Sequence, residues 1–439
     1  MALELKMFVC GPTVYDYSHL GHGRTYLFFD LVAKFLRAQG HSLFYLQNIT
    51  DIDDKIIARA IEEGLDWREL AAKYEKEYYQ DMATLAIDSV SKYARASEHI
   101  PEIISQIEAL FNKGYAYRTN LGIYFDISKF SDYGKLSGQN LDKLEPAERT
   151  EENSEKKNPH DFVLWKTAKE SEPSWPSPFG AGRPGWHIED TAITEKYLGP
   201  QYDIHGGGID LIFPHHECEI AQQEAISGKK PMVNKWLHVG FLQTANEKMS
   251  KSLGNQINLR EVIKEYGSSV FRLAMFSSHY RSPIEYSDTL MLQAKESLAR
   301  LKYFVEKVRR YENEDKSERD GVDRIKTAFW TALEDDFNTP RALASLFDLV
   351  KETHKKMDHG SGITKRYILE FMDEADKILG LKLLESDEIP EKIKKLADER
   401  ETARQNKDWQ KADELRLQIK NFGYDIEDTE NGPLISPDV

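Results

Sequence analysis

Val9-Cys10-Gly11-Pro12-Thr13-Val14-Tyr15-Asp16-Tyr17-Ser18-His19-Leu20-Gly21-His22-Gly23-Arg24 is the stretch whose reading decides the fold. Apolar Met7 to Val9 read as a short buried strand, stopped by Gly11-Pro12. Behind the turn, Leu27, Phe28, Leu31, Val32, Phe35 and Leu36 recur at helical spacing, and Gly40 supplies a C-terminal cap. A second apolar strand, Leu43 to Leu46, runs into Gln47-Asn48-Ile49-Thr50. A strand, a helix and a strand in that order predict a parallel sheet. His19 and His22 sit where the loop enters the helix, and free N–H groups at a helix N-terminus make a ready phosphate site. Taken alone, the two histidines read first as packed or solvated side chains.

Farther along stands Lys248-Met249-Ser250-Lys251-Ser252-Leu253-Gly254-Asn255. Two ammonium groups and two hydroxyls in a Gly-bounded polar loop suit the charge of a polyphosphate. His-x-Gly-His after a first strand, followed far downstream by Lys-Met-Ser-Lys-Ser, resembles the paired signature of class I aminoacyl-tRNA synthetases.

The chain has 439 residues, so two to four domains are expected. With 40% hydrophobic and 30% charged residues it is composed like a globular domain protein. No apolar run approaches membrane-spanning length and no signal-peptide pattern opens the sequence, so a cytosolic protein without a membrane partner is expected. Cys10 and Cys218 are too few for a disulfide framework, and a metal-binding or inert role is the alternative. A net charge of −15 argues against nonspecific coating of nucleic acid, while leaving room for a local basic groove.

Thr50-Asp51-Ile52-Asp53-Asp54 leads into a helix closed by Gly64; its acids either complement the helix dipole or border a ligand crevice. Amphipathic helices are predicted at about Trp67–Leu85 and Glu98–Asn112, then a hairpin around Asn120-Leu121-Gly122. Tyr202-Asp203-Ile204-His205-Gly206-Gly207-Gly208-Ile209-Asp210 offers a close backbone approach to a nucleotide, with Asp210 able to hold a ribose hydroxyl. In Pro214-His215-His216-Glu217-Cys218-Glu219, a helix beginning at Pro214 puts His215 and Glu219 on one face, with Cys218 beside them. Without context such a pair reads first as a solvated or packed face. From Ser268 onward the chain reads as helical, ending in helices at about Glu391–Gln405 and Trp409–Asn421. Their lysines and arginines alternate with acids, which fits a solvated face or an RNA-backbone contact.

Along nearly its whole length the chain resembles the cysteinyl-tRNA synthetase family. The resemblance rests on Cys10-Gly11-Pro12-Thr13-Val14-Tyr15-Asp16, Asn48-Ile49-Thr50-Asp51, Tyr133-Gly134-Lys135-Leu136-Ser137-Gly138, Gly185-Trp186-His187-Ile188-Glu189, His205-Gly206-Gly207-Gly208 and Asp335-Asp336-Phe337-Asn338-Thr339-Pro340. It implies an α/β fold: a Rossmann-like class I catalytic domain with an inserted connective domain, then an all-α C-terminal helical region. The expected divisions are 1–89 and 166–267 for the two catalytic halves, 90–165 for the insertion, 268–385 for a helical stem and bundle, and 386–439 for anticodon-recognition helices. The implied activity is ATP- and Mg2+-dependent activation of L-cysteine and its transfer to tRNA(Cys), by a monomer. A ligase charging another small amine, and a paralogue that merely binds tRNA, are the competing readings.

The same resemblance implies that His19, His22, Lys248 and Lys251 stabilise the phosphates during transfer. Thr50 and Trp186 would line the amino-acid pocket, Gly207, Gly208, Asp210, His238 and Val239 would hold adenosine, and Gly11 and Thr13 would be further binding residues of the site. The family binds zinc with two Cys, one His and one Glu. Cys10, His215 and Glu219 match, but Asp190 stands in place of the second Cys. Three outcomes are open: zinc with Asp190 as the fourth ligand, zinc recruiting Cys218 instead, or no tightly held zinc. His22 replaces an Asn common in the family, and Gly432-Pro433-Leu434-Ile435 lacks the aromatic many members carry there.

Overall fold

The computed structural model describes residues 4–139, 154–170, 172–244, 247–248, 257–315, 319–385, 389–429 and 432–437. It divides into two units, residues 1–261 with 281–284, and residues 262–280 with 285–439. Among the described residues no helix is long and apolar enough to cross a membrane.

The first unit begins with the expected β1 (Leu5–Val9), α1 (Leu20–Ala38) and β2 (Leu43–Ile49). Then come α2 (Asp54–Glu63), α3 (Trp67–Thr84), β3 (Lys92–Arg95) and α4 (Ile100–Asn112). Next are β4 (Ala116–Thr119), β5 (Gly122–Phe125), β6 (Phe162–Thr167) and β7 (Gly182–Pro184), followed by α5 (Trp186–Leu198), β8 (Tyr202–Gly208), α6 (Glu217–Ser227) and β9 (Val233–Val239). Short β10 (Leu242–Thr244) pairs with β11 (Glu247–Lys248).

Five parallel strands form the main sheet in the order β3-β2-β1-β8-β9. The chain leaves β1 toward β2 and β3 on one side and returns to β8 and β9 on the other. The strand order therefore reverses between β1 and β8, which is where a ligand crevice opens in such sheets. Met7, Phe8 and Val9 have no exposed surface, as a strand covered on both faces requires. A second, antiparallel sheet holds β4-β5-β6-β7. β3, Lys92–Arg95, pairs with β2 in the main sheet, so the insertion drawn from residue 90 takes in a catalytic strand, and β7 extends the antiparallel sheet past residue 165. Four residues with one buried side chain give too short an alternation to be read as a strand without its partner.

Beyond α7 (Leu259–Tyr266), the second unit holds α8 (Ser268–Phe276), α9 (Asp288–Arg310), α10 (Asp320–Glu334), α11 (Thr339–Asp358), α12 (Lys365–Leu379), α13 (Glu391–Gln405) and α14 (Trp409–Asn421). β12 (Ile284–Glu285) precedes α9. Helix α9 buries Met291, Ala294, Leu298, Leu301, Val305 and Val308, the stripe its sequence predicts. The C-terminal region is not all-α: β13 (Tyr424–Thr429) and β14 (Gly432–Pro437) form an antiparallel hairpin. Ile426 from that hairpin packs with Ile393, Ala397 and Ile419 in a small core of its own.

Candidate active site and metal centre

At the C-terminal ends of β1 and β8 lies a cavity of about 680 Å³, walled in part by Gly11, Thr13, His19, His22, Trp186 and Asp210. Its floor is made by close backbone packing. Cys10 N–H donates to Gly206 O at 3.0 Å, and Thr50 N–H to Pro12 O at 3.1 Å. A Cβ on Gly11 would fall 1.7 Å from Asn48 O, and one on Gly206 2.0 Å from the Phe29 ring, so neither position has room for a side chain.

His19 is itself the N-cap of α1. Its Nδ1 accepts from Gly21 N–H at 3.0 Å and His22 N–H at 3.4 Å. Two of the free N–H groups expected to meet a phosphate are therefore already used, which corrects the helix-terminus reading. An accepting Nδ1 puts the imidazole proton on Nε2, so the ring offers one N–H donor. The His22 ring stacks on it at 3.8 Å. Burial pulls His19 down to about 4, with Lys55 adding to the effect and Asp210 opposing it; His22 is held well below the ordinary range for the same first reason. At neutral pH both are uncharged donors rather than cations. His22 Nδ1 is buried and has no hydrogen-bond partner among the described residues.

Gly208, Asp210 and Val239 reach the cavity wall. Gly207, paired with His238 across β8 and β9, and Thr50 are buried behind it. The side chain of Lys248, in β11, and all of Lys251 lie outside the described residues. The acids after β2 have structural partners. Asp51 accepts from Ser97 N–H at 2.9 Å, Asp53 caps α2 through Lys55 N–H, and Asp54 pairs with Lys166 at 2.6 Å and with Arg183.

Behind Trp186, Cys10 from the end of β1, Asp190 from α5, and His215 and Glu219 from the α6 turn bring four donor atoms within 4.8 Å of one another. All four are buried. His215 Nε2 lies 3.0 Å from Asp190 Oδ2 and 2.9 Å from Glu219 Oε1, and the Trp186 ring stacks on His215 at 4.2 Å. Burial pushes Glu219 up to about 7 against the pull of His215, and raises the Cys10 thiol further still beside Glu219 and Asp190. Burial disfavours the charged His215 ring, but Glu219 and Asp190 outweigh it and lift the group to about 9.

Two carboxylates, a thiol and an imidazole in a dry pocket hold at most one positive charge, on His215, and such groups are buried together only when paired or coordinating a cation. Glu219 Oε2 is buried and makes no hydrogen bond among the described residues, although His205 Nε2 is 3.4 Å away. One sulfur, one nitrogen and two oxygens are a donor set that zinc accepts. The residues present fit the family's metal. Cys218 does not join them: its sulfur lies 3.3 Å from Tyr133 OH. One turn separates it from His215 in sequence, but its side chain is directed to the insertion side.

Two further histidines face Cys10 from behind, unmarked as site residues in the sequence reading. His205 Nε2 is 3.4 Å and His216 Nε2 3.2 Å from Cys10 Sγ; their other ring nitrogens meet Tyr202 OH at 2.7 Å and His238 Nε2 at 2.9 Å. The register Phe8↔His205 between β1 and β8 puts the first ring there. The helix bearing Glu219 is itself anchored: Glu217 accepts the backbone N–H groups of Gly134, Leu136 and Ser137, and Lys135 pairs with Glu224 at 2.6 Å. That is the work of the Tyr133–Gly138 motif.

Residues 2–296 match the family description "tRNA synthetases class I (C) catalytic domain", residues 328–384 "DALR domain", and residues 386–432 "Cysteinyl-tRNA ligase anticodon binding domain". The cysteine--tRNA ligase of Methanococcus maripaludis is 45% identical over 97% of this chain and 93% of its own length. That of Thermodesulfovibrio yellowstonii is 42% identical over 97% and 93%. Among solved structures, the methionyl-tRNA synthetase of Mycobacterium tuberculosis with methionyl-adenylate superposes with a TM-score of 0.65 at 15% identity, covering 87% of this chain and 88% of that one, a likeness of fold alone. With the catalytic match spanning more than half the sequence and these relatives spanning nearly all of it, the chain belongs to the cysteine--tRNA ligase family of class I aminoacyl-tRNA synthetases.

Proposed function

We propose that this cysteine--tRNA ligase selects its amino acid at the Cys10, Asp190, His215 and Glu219 cluster and forms the adenylate in the adjoining cavity. The observation that carries the reading is the cluster itself, four buried donors within 4.8 Å set directly behind Trp186 on the cavity wall. These four residues would hold zinc. Bound there, zinc would favour a substrate thiolate over the hydroxyl of serine, a discrimination that size alone would not supply. His205 and His216 lie within hydrogen-bond reach of Cys10 Sγ and hold the side chain in place from behind.

The cysteine carboxylate oxygen attacks the α-phosphorus of Mg2+-bound ATP and pyrophosphate leaves. His19 and His22 donate N–H groups to the phosphates, and Lys248 and Lys251 bring the positive charge that the neutral imidazoles lack. Gly11 and Thr13 line the path of the amino acid, with Thr50 supporting them from behind, and Trp186 closes it. Gly208, Asp210 and Val239 hold the adenosine, backed by Gly207 and His238. A ribose hydroxyl of the terminal adenosine of tRNA(Cys) then attacks the carbonyl carbon and AMP leaves. The region 386–439 contacts the anticodon, a reading supported by the family match over 386–432. The enzyme works as a cytoplasmic monomer, with 1–89 and 166–267 as catalytic halves around a connective insertion and 268–385 as the helical stem.

ATP–pyrophosphate exchange against all twenty amino acids, with cysteine kept reduced, tests the specificity. Exchange with cysteine alone is expected; exchange with serine would mean that Asp190 has changed the pocket. Lys251→Ala should lower exchange by orders of magnitude while tRNA binding survives.

A further inference from the structure

Asp190 is a carboxylate in a position where a metal would meet one atom, and a carboxylate has two. Its two oxygens are held apart by different partners: Oδ2 faces His215 Nε2 at 3.0 Å, and Oδ1 accepts from Asn48 Nδ2 at 2.6 Å. Asn48 is 2% exposed at the end of β2. Its amide orientation is dictated by its other contact. Gly11 N–H, which can only donate, lies 2.5 Å from Asn48 Oδ1, so the NH2 group must point the opposite way, toward Asp190 and, at 3.3 Å, Thr50 Oγ1. One planar amide thus ties the backbone next to Cys10 to the carboxylate of Asp190, two donors that come from β1 and α5.

We propose that Asn48 is the positioning residue of the metal centre, and that its amide makes Asp190 a single-oxygen ligand by occupying Oδ1. The proposal rests on the reading of Cys10, Asp190, His215 and Glu219 as the metal set. With Oδ1 engaged, the centre keeps one atom from each of four residues, the count a tetrahedral zinc site uses. Without the amide, the carboxylate is free to turn and present both oxygens, and the site loses its preset geometry; partners of this kind are worth roughly 10–100-fold in metal affinity. A sulfur ligand has a single donor atom and no second one to restrain, so the dependence on Asn48 belongs to Asp190.

The test is a cycle of four proteins, the unaltered chain, Asn48→Ala, Asp190→Cys and the double variant, each titrated with zinc against a chromophoric chelator. Asn48→Ala is expected to weaken zinc binding roughly 10–100-fold in the first background and less than about 3-fold beside Asp190→Cys. Equal losses in both backgrounds would assign Asn48 to the Gly11 loop alone and overturn the proposal; so would no loss in either. Asn48→Ser runs the same cycle if the alanine variant does not fold. Cobalt(II) gives an independent reading: the sulfur-to-cobalt absorption should correspond to one thiolate in the unaltered chain and to two in Asp190→Cys. Zinc affinity unchanged by Cys10→Ala would instead reject the metal set itself, an outcome distinct from failure of the Asn48 coupling.

Discussion

The centre behind Trp186 and the C-terminal element α13–α14 with its hairpin are both dense in acids and bases, yet the groups behave differently. Cys10, Asp190, His215 and Glu219 are shut away from water, and burial heads the causes that displace Cys10 and Glu219. In the C-terminal element, Arg400 grips Asp428 at 2.6 and 3.0 Å, Arg404 reaches the same carboxylate at 2.8 Å, and Asp428 stays partly exposed. There the leading effect is the Arg400 hydrogen bond, which holds Asp428 below the usual carboxylate range. Buried ionisable groups that do not balance one another call for a ligand; partly exposed ones settle their own accounts with neighbours and solvent.

Removing a donor from the buried centre should produce the largest effect. Cys10→Ala is expected to strip zinc from the purified protein and to cut kcat/KM for cysteine activation by on the order of 10³, about 4 kcal/mol, because sulfur is the softest donor of the set. Elemental analysis and pyrophosphate exchange read the two consequences. Retained zinc with unchanged exchange would break the contrast at its root.

A second consequence of burial is pH dependence. The folded state holds His19 near 4 against 6.5 for a free imidazole, so it favours the neutral ring. The corresponding stability is present above pH 6.5 and is lost as the pH falls toward 4. Between pH 7 and 4.5 this amounts to about 2.5 kcal/mol. His19→Asn should therefore flatten the acid limb by about that much in denaturant melts, the remaining slope coming from His22 and other groups. An unchanged limb would mean that the ring is better hydrated than its position suggests.

How far the sequence foretold this centre depends on what each contact needs. The β1–α1–β2 unit, the β4–β5 hairpin and the helices from α9 to α14 were legible because periodicity and turn residues are local signals. Cys10, Asp190, His215 and Glu219 were named together through the family resemblance, and the fold brings them within 4.8 Å. His205 was in view as part of His-Gly-Gly-Gly, but its place beside Cys10 follows from the β1–β8 register, which no local pattern encodes. Asn48 was likewise quoted only as motif. Its role depends on Gly11 and Asp190, both remote in the chain, meeting its two amide ends. The β13–β14 hairpin was missed because Tyr424 to Thr429 offers one buried apolar residue, Ile426, among acids.

In the C-terminal element the effects should shrink. Asp428→Asn leaves the Arg400 guanidinium, itself nearly buried, without its carboxylate. About 1 kcal/mol of destabilisation is expected after allowing for the exposure of Asp428, and 0.5 M salt should narrow the difference from the unaltered protein. A loss several times larger, insensitive to salt, would place this pair in the same class as the buried centre.

Trp409 sharpens the comparison from the other side. It is 57% exposed, and the Arg404 guanidinium lies 5.9 Å from its ring centre. Trp409→Ala should change folding stability by less than about 0.5 kcal/mol, since so little of the ring is taken out of water. Cysteine activation should not change, because that chemistry belongs to the catalytic unit. If the exposed ring serves as a stacking platform for a base, tRNA charging should fall by roughly tenfold or more while both other readouts hold. Equal charging by Trp409→Ala would remove this ring from the RNA contact. A drop in melting temperature with charging intact would make it a packing residue, and the element's exposed face would then owe its tRNA binding to its charges alone.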